Sequence, residues 1–140
     1  MVYVHVEKLT LPPSVTISEK TVRGPRVEVL LSTHDLPLPP FAADYYFYRL
    51  QYKPVGGGDS FLSLAGFRQH YNWGKSNTMS FELTLLENTE YDFRVALYRR
   101  VVLRGWLEVC DTTRVIRILT EGKHREMFYV SVTFLKIKLH

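Results

Sequence analysis

Leu83-Thr-Leu-Leu-Glu-Asn-Thr-Glu-Tyr-Asp-Phe-Arg-Val-Ala-Leu97, read together with Tyr48-Arg-Leu-Gln-Tyr-Lys-Pro54, decides the fold class. In the first stretch an apolar strand end runs into a short polar turn. Tyr91, Phe93, Val95 and Leu97 then alternate with Asp92, Arg94 and Ala96, the period-two pattern of a strand with one buried face. Tyr91 opens that strand directly after the turn. A β-sandwich carries its tyrosine corner at such a place, with the ring packed inside and the hydroxyl bonded back to the backbone of the preceding turn. Upstream, Tyr48, Leu50 and Tyr52 alternate with Arg49, Gln51 and Lys53, a second strand with one apolar and one polar face.

Composition agrees with an all-β chain. Its 140 residues make one domain, long enough to bury a core. Nine Tyr and eight Phe favour strands, and no stretch of about ten or more residues shows clean helical spacing of apolar residues. Cys110 is the only cysteine, so no internal disulfide forms and the compartment stays open. Met1-Val-Tyr-Val-His-Val6 alternates and lacks the basic start and apolar run of a signal peptide. No segment approaches the roughly 20 apolar residues that cross a bilayer, so direct membrane insertion is not expected. Charge is uneven: residues 1–93 hold 8 Lys/Arg and 10 Asp/Glu, whereas residues 94–140 hold 10 and 4. These cations are interleaved with strand residues and no nucleic-acid-binding motif accompanies them, which argues against nucleic acid as a partner.

Along the chain, Val2, Val4 and Val6 form a short alternating run before Pro12-Pro13, a pair that interrupts pairing and stiffens a junction. Residues 1–11 therefore read as the end of a preceding domain or an N-terminal strand, residues 12–120 as the module, and residues 121–140 as a β-prone tail. Within the module, strand A is expected over Ser14 to Ser18. Strand B carries Val27, Val29 and Leu31, and the proline-rich Leu36-Pro-Leu-Pro-Pro40 loops into strand C at Tyr45 to Lys53. Gly56-Gly57-Gly58-Asp59 turns the chain into a short edge strand at Phe61, Leu62 and Leu64, and Gly66 to Thr78 reads as a long connection. Strand E follows at Met79 to Leu85 and strand F at Tyr91 to Tyr98. An F–G loop would carry Arg99, Arg100 and Arg104, with strand G at Arg114 to Leu119. In the tail, Phe128, Val130, Val132 and Phe134 face one way, so an extra C-terminal strand is expected to pair with an exposed edge, beside Val2 to Val6.

The strand Tyr48-Arg-Leu-Gln-Tyr-Lys-Pro54 and the corner Leu86-Glu-Asn-Thr-Glu-Tyr91 resemble the two recurrent signatures of fibronectin type III domains, in the right order. Two positions depart from that pattern: Leu31 stands where strand B usually has a bulky aromatic, and the turn before Tyr91 lacks the common proline. Leu50-Gln-Tyr-Lys-Pro-Val55, Thr89-Glu-Tyr91 and the strand end Arg99-Arg100 further resemble the first fibronectin type III repeat of Tie-type angiopoietin-receptor tyrosine kinases. Tyr3-Val-His-Val6 and Leu11-Pro-Pro13 are similar to the end of the immunoglobulin domain and the linker before that repeat. After Leu119 the likeness lapses. The resemblance implies an immunoglobulin-like β-sandwich with Tyr91, Leu31, Tyr48, Leu50, Tyr52, Phe93 and Val95 as structural residues. It also implies an extracellular spacer that meets a protein partner, neighbouring receptor domains or a second copy of itself. An intracellular adaptor or cytoskeletal module, or an accessory module of a polysaccharide-active enzyme, would use the same fold.

The residues that could carry chemistry read more simply as structure. Gly56-Gly57-Gly58 lacks the strand-to-helix context and the Lys-Ser/Thr of a phosphate loop, and is a hairpin turn. His34-Asp35 and Ser60 have no nucleophile elbow, and the histidines at 5, 34, 70, 124 and 140 show no ligand spacing. Neither catalysis nor a metal or other cofactor is expected. Cys110 beside Val109 reads as a packed small hydrophobe, although Arg104 and Arg114 nearby would favour a thiolate. Arg99, Arg100, Arg104 and Trp106 are the candidate protein-contact residues, since Arg and Trp are enriched at binding hot spots. No Asn-x-Ser/Thr sequon and no Arg-Gly-Asp site occurs.

Overall fold

The computed structural model describes residues 6–33, 45–58, 60–64, 66–69, 78–101 and 105–122. These form an immunoglobulin-like β-sandwich. In chain order the strands are β1 (Thr16–Arg23), β2 (Arg26–Ser32), β3 (Tyr46–Pro54), β4 (Leu62–Ser63), β5 (Arg68–Gln69), β6 (Thr78–Thr84), β7 (Glu90–Val101), β8 (Trp106–Thr112) and β9 (Ile116–Leu119). One sheet has the order β1-β2-β6. In the other, β3 and β7 lie at the centre, with β4 and β5 on the free side of β3 and β8 and β9 on the free side of β7. All pairings are antiparallel.

Alternation decides which side chains meet between the sheets. Val27, Val29 and Leu31 from β2 and Leu50, Phe93, Val95 and Leu97 from β3 and β7 are fully buried. Met79, Phe81 and Leu83 of β6, Tyr48 of β3, and Tyr91 and Ile118 of β7 and β9 belong to the same cluster. Each such side chain contributes roughly 1.5–3 kcal/mol by leaving water, so this layer drives folding. Leu31 of β2 is fully buried, and Tyr48, Tyr91 and Phe93 of the opposite sheet supply rings to the same cluster. Tyr52 is half-buried and meets Tyr91 edge to face, with centroids 6.3 Å apart.

Several strand limits differ from the sequence expectation. The first strand starts at Thr16 and runs to Arg23, because Val15 N–H closes a turn onto Pro12 O (3.0 Å). Its second half escapes pattern reading because a bulge between Glu19 and Thr21 breaks the alternation. Strand F runs on to Val101, so Arg99 and Arg100 are strand residues and not part of a loop. Trp106 likewise opens a strand, following Gly105 at φ 73°. Strand G is therefore two pieces, β8 and β9, of which only the second was legible. The long connection contains β5, which pairs Phe47 with Gln69 and Tyr48 with Arg68. The proposed pairing of the C-terminal tail with Val2 to Val6, the proline-rich loop, Arg104 and all five histidines lie outside the described residues.

A bulge inside β8 precedes the break between β8 and β9. Against β7, Leu97 faces Asp111 and Tyr98 faces Val109, which leaves Cys110 as the extra residue of a bulge. Thr113 then bridges the gap: its N–H donates to Val95 O (2.9 Å) and its Oγ1 accepts from Val95 N–H (3.0 Å). The ladder partners of Val95 are thus preserved where the edge strand changes register.

Residues 6–11 pack against the sandwich as an arm. Val6 is buried, and Leu9 and Leu11 rest on the core. Hydrogen bonds hold the arm: Arg99 Nη1 donates to Val6 O (2.8 Å), Tyr46 Oη to Glu7 O (2.8 Å), and Leu11 N–H to Asp111 Oδ2 (2.6 Å).

Candidate functional site

The polar face of β3 and β7 brings together residues that the core does not use. Direct pairing places Phe47 beside Tyr98, Arg49 beside Ala96, Gln51 beside Arg94 and Lys53 beside Asp92. On the far side of β7, Arg100 pairs with Leu107 and Tyr98 with Val109. Residues opposite one another in an antiparallel ladder share a face, so all of these lie on the outer surface of the second sheet. Phe47, Ala96, Tyr98 and Leu107 form a small hydrophobic cluster there, separate from the main core.

Cations cover the aromatic rings of this face. The Arg49 guanidinium carbon lies 4.5 Å from the Phe67 centroid, and that of Arg94 3.9 Å from Phe61. Lys53 Nζ shares the Phe61 ring at 4.9 Å, and Arg100 lies 5.2 Å from Phe47. Each contact is worth about 0.5–1 kcal/mol where exposed. Phe67 also meets Tyr98 edge to face at 4.8 Å. Beneath the cations runs a polar chain in which Arg94 Nε donates to Gln51 Oε1 (2.7 Å) and Gln51 Nε2 donates to Tyr98 Oη (3.2 Å). Arg49 Nε donates to Leu64 O (3.0 Å), which pins the edge strand. At one end the face opens into a groove of about 670 Å³, lined by Phe47, Phe67, Arg68, Gln69, Arg100 and Leu107 together with Gly105.

The four contact candidates separate in the structure. Arg100 is exposed and lines the groove. Arg99 points to the other side, where Nε and Nη2 both reach Glu108 Oε2 (3.1 and 2.8 Å) and Nη1 holds the arm. Its charge is engaged in fastening strands, so it is not offered to a partner. Trp106 is 52 % exposed at the start of β8, beyond the groove. Arg49, Lys53, Arg94, Phe61 and Phe67 were not singled out from sequence as contact residues. Only the outward half of the Tyr48 to Lys53 alternation hinted at them.

The remaining polar groups serve the fold. Tyr91 is buried and its Oη accepts from Leu86 N–H (3.1 Å). Thr120, also buried, donates from Oγ1 to Leu86 O (2.6 Å) and accepts from Thr89 N–H (3.0 Å). Cys110 is half-buried against the core, and burial raises its thiol pKa above the ordinary value, outweighing the nearby Arg99 and Lys8. It is a packed hydrophobe, not an activated nucleophile. Among the described residues, no buried side-chain nitrogen or oxygen lacks a hydrogen-bond partner, and no three His, Cys, Asp or Glu side chains are grouped to hold a metal ion. Comparison of the chain with protein-family models finds no match, and comparison with curated proteins finds none either.

Proposed function

We propose that the chain is a fibronectin type III module acting without catalysis, as a spacer and protein-contact unit in the extracellular region of a Tie-like receptor tyrosine kinase. The observation that carries this reading is the Tyr91 corner, hydrogen-bonded to Leu86, in a sandwich whose buried polar groups fasten turns and strand ends. Side chains available for contact lie instead on an extended sheet face, which suits association with a neighbouring domain, a separate protein or a second copy. The arm at residues 6–11 supports the spacer role. Hydrogen bonds from Arg99, Tyr46 and Leu11, together with Val6 burial, tie it to the sandwich, so a domain joined upstream would be held at a set angle.

An epitope inserted at Gly56–Gly58 of the parent protein tests this reading. Gly56 and Gly58 have φ of 80° and 102° and open space around them, so an insertion there spares the core. Antibody binding to intact cells is the expected result. Labelling only after permeabilisation would overturn the receptor reading in favour of an intracellular adaptor.

A further inference from the structure

We infer that the outer face of the second sheet docks an acidic, extended segment of a partner protein, running along β3 and β7 with an apolar side chain seated in the groove between Phe47, Phe67 and Leu107. This deepens the contact role proposed above and rests on it. Strand pairing and alternation put five cations on the face, Arg49, Lys53, Arg94, Arg100 and Arg117, against two carboxylates among the described residues, Glu90 and Asp92, both at the Arg117 end. Asp92 already accepts from Arg117 Nε at 3.0 Å, and Glu90 lies beside the same guanidinium. The described partners of Arg49, Lys53 and Arg94 are rings, backbone carbonyls and an amide, none of which neutralises a charge.

The geometry of these contacts leaves the cations able to bind. A guanidinium lying over a ring uses its face, whereas its donors lie in its plane. Among the described residues the atom of Arg49 and of Arg94 that donates is Nε, which leaves the four N–H groups of each terminal fork for a carboxylate. Spacing selects an extended occupant. Lys53 and Arg49 are four residues apart on β3, and Arg100 N–H bonds Tyr45 O, so the row spans the length of the strand. Alternate side chains of an extended peptide recur at about 7 Å, the same repeat as alternate residues of β3. Nucleic acid fits less well, because Phe47, Phe61 and Phe67 are each covered by a cation and do not present bare rings for base stacking.

The test is fluorescence anisotropy of the whole chain with a labelled peptide of alternating glutamate and serine bearing one central phenylalanine. Binding that weakens as salt rises is expected, and it should be lost when the glutamates become glutamines. Lys53→Glu and Arg100→Glu should each raise Kd tenfold or more with an unchanged thermal melt. Arg23→Glu makes the same charge change on the first sheet and should leave Kd unaltered. Absence of binding, equal loss in Arg23→Glu, or no loss in the two face variants overturns the proposal. So does tighter capture of a single-stranded oligonucleotide or a sulfated glycan than of the peptide. Failure here together with positive labelling of intact cells would reject the acidic partner while leaving the receptor reading in place.

Discussion

At the base of the sandwich, Tyr91, Thr113 and Thr120 aim their hydroxyls at backbone groups of the strands and turn they join. On the outer face of the second sheet, Tyr98, Gln51 and Arg94 bond to one another, and the chain ends in a guanidinium lying over Phe61. The two regions draw on similar residue types for opposite purposes. A hydroxyl that completes a backbone pair has one useful geometry, and removing it strands a buried donor or acceptor. A side-chain chain can shift its members together, so it tolerates change and leaves charge available to a partner. The base and the core should therefore respond to substitution through stability, and the outer face through binding.

The largest effect is expected from the core itself. Phe93→Ala removes a fully buried ring that contacts Tyr52 and Tyr91, and should cost about 3–5 kcal/mol in denaturant melts. A loss below about 1 kcal/mol would mean that the region between the sheets collapses around the cavity and is not tightly packed.

At the base, Tyr91→Phe should cost about 1–3 kcal/mol although a single oxygen is lost, because Leu86 N–H loses its partner. An unchanged midpoint with an unchanged slope would show that water replaces the hydroxyl freely. Gly122→Ala probes the same region by crowding. Its added methyl would meet the Asn88 side chain at 2.6 Å, and Asn88 sits at φ 47°. The clash is with the end of an exposed side chain that can swing aside, so the variant should lose no more than about 1 kcal/mol, and Asn88→Gly should recover most of it, since glycine takes the same backbone angle without a side chain.

Alkaline pH gives a graded test of the interior. Burial holds the Tyr48 hydroxyl far above its ordinary pKa of 10.0. Because the folded state keeps this proton more tightly than the unfolded state, its stabilisation is complete below pH 10.0 and declines as pH rises further. Circular dichroism should show alkaline unfolding beginning in that range, with a higher midpoint in Tyr48→Phe. An identical midpoint would mean that another group controls the transition.

The smallest stability change belongs to the outer face. Arg100→Ala should shift stability by less than about 0.5 kcal/mol, as surface changes generally do. A loss comparable to that of Tyr91→Phe would erase the contrast between the two regions.

How much of this was legible from sequence depended on whether the cause was local. The alternation in Tyr91 to Leu97 and in Tyr48 to Tyr52 names inward residues that are buried or half-buried, because a pleated strand sends successive side chains to opposite faces whatever its partner is. The Tyr91 turn was readable because the tyrosine and the backbone N–H that donates to it are five residues apart. The first strand's second half, β5 and β8 were not, since they lie on sheet edges where a bulge or a two-residue pairing overrides the period. Arg99 was unreadable as a fastener because Glu108 is brought to it by the register of β8 against β7, and Val6 by the docked arm. The outer face escaped for a similar reason. Arg49 and Lys53 precede Arg94 and Arg100 by more than forty positions, and the charge excess of the last third pointed toward the F–G region instead. Periodicity within a strand thus specified the class of fold and much of its core. The strand register in turn assembled the cationic face, because neighbours across a sheet are chosen by pairing and not by distance along the chain.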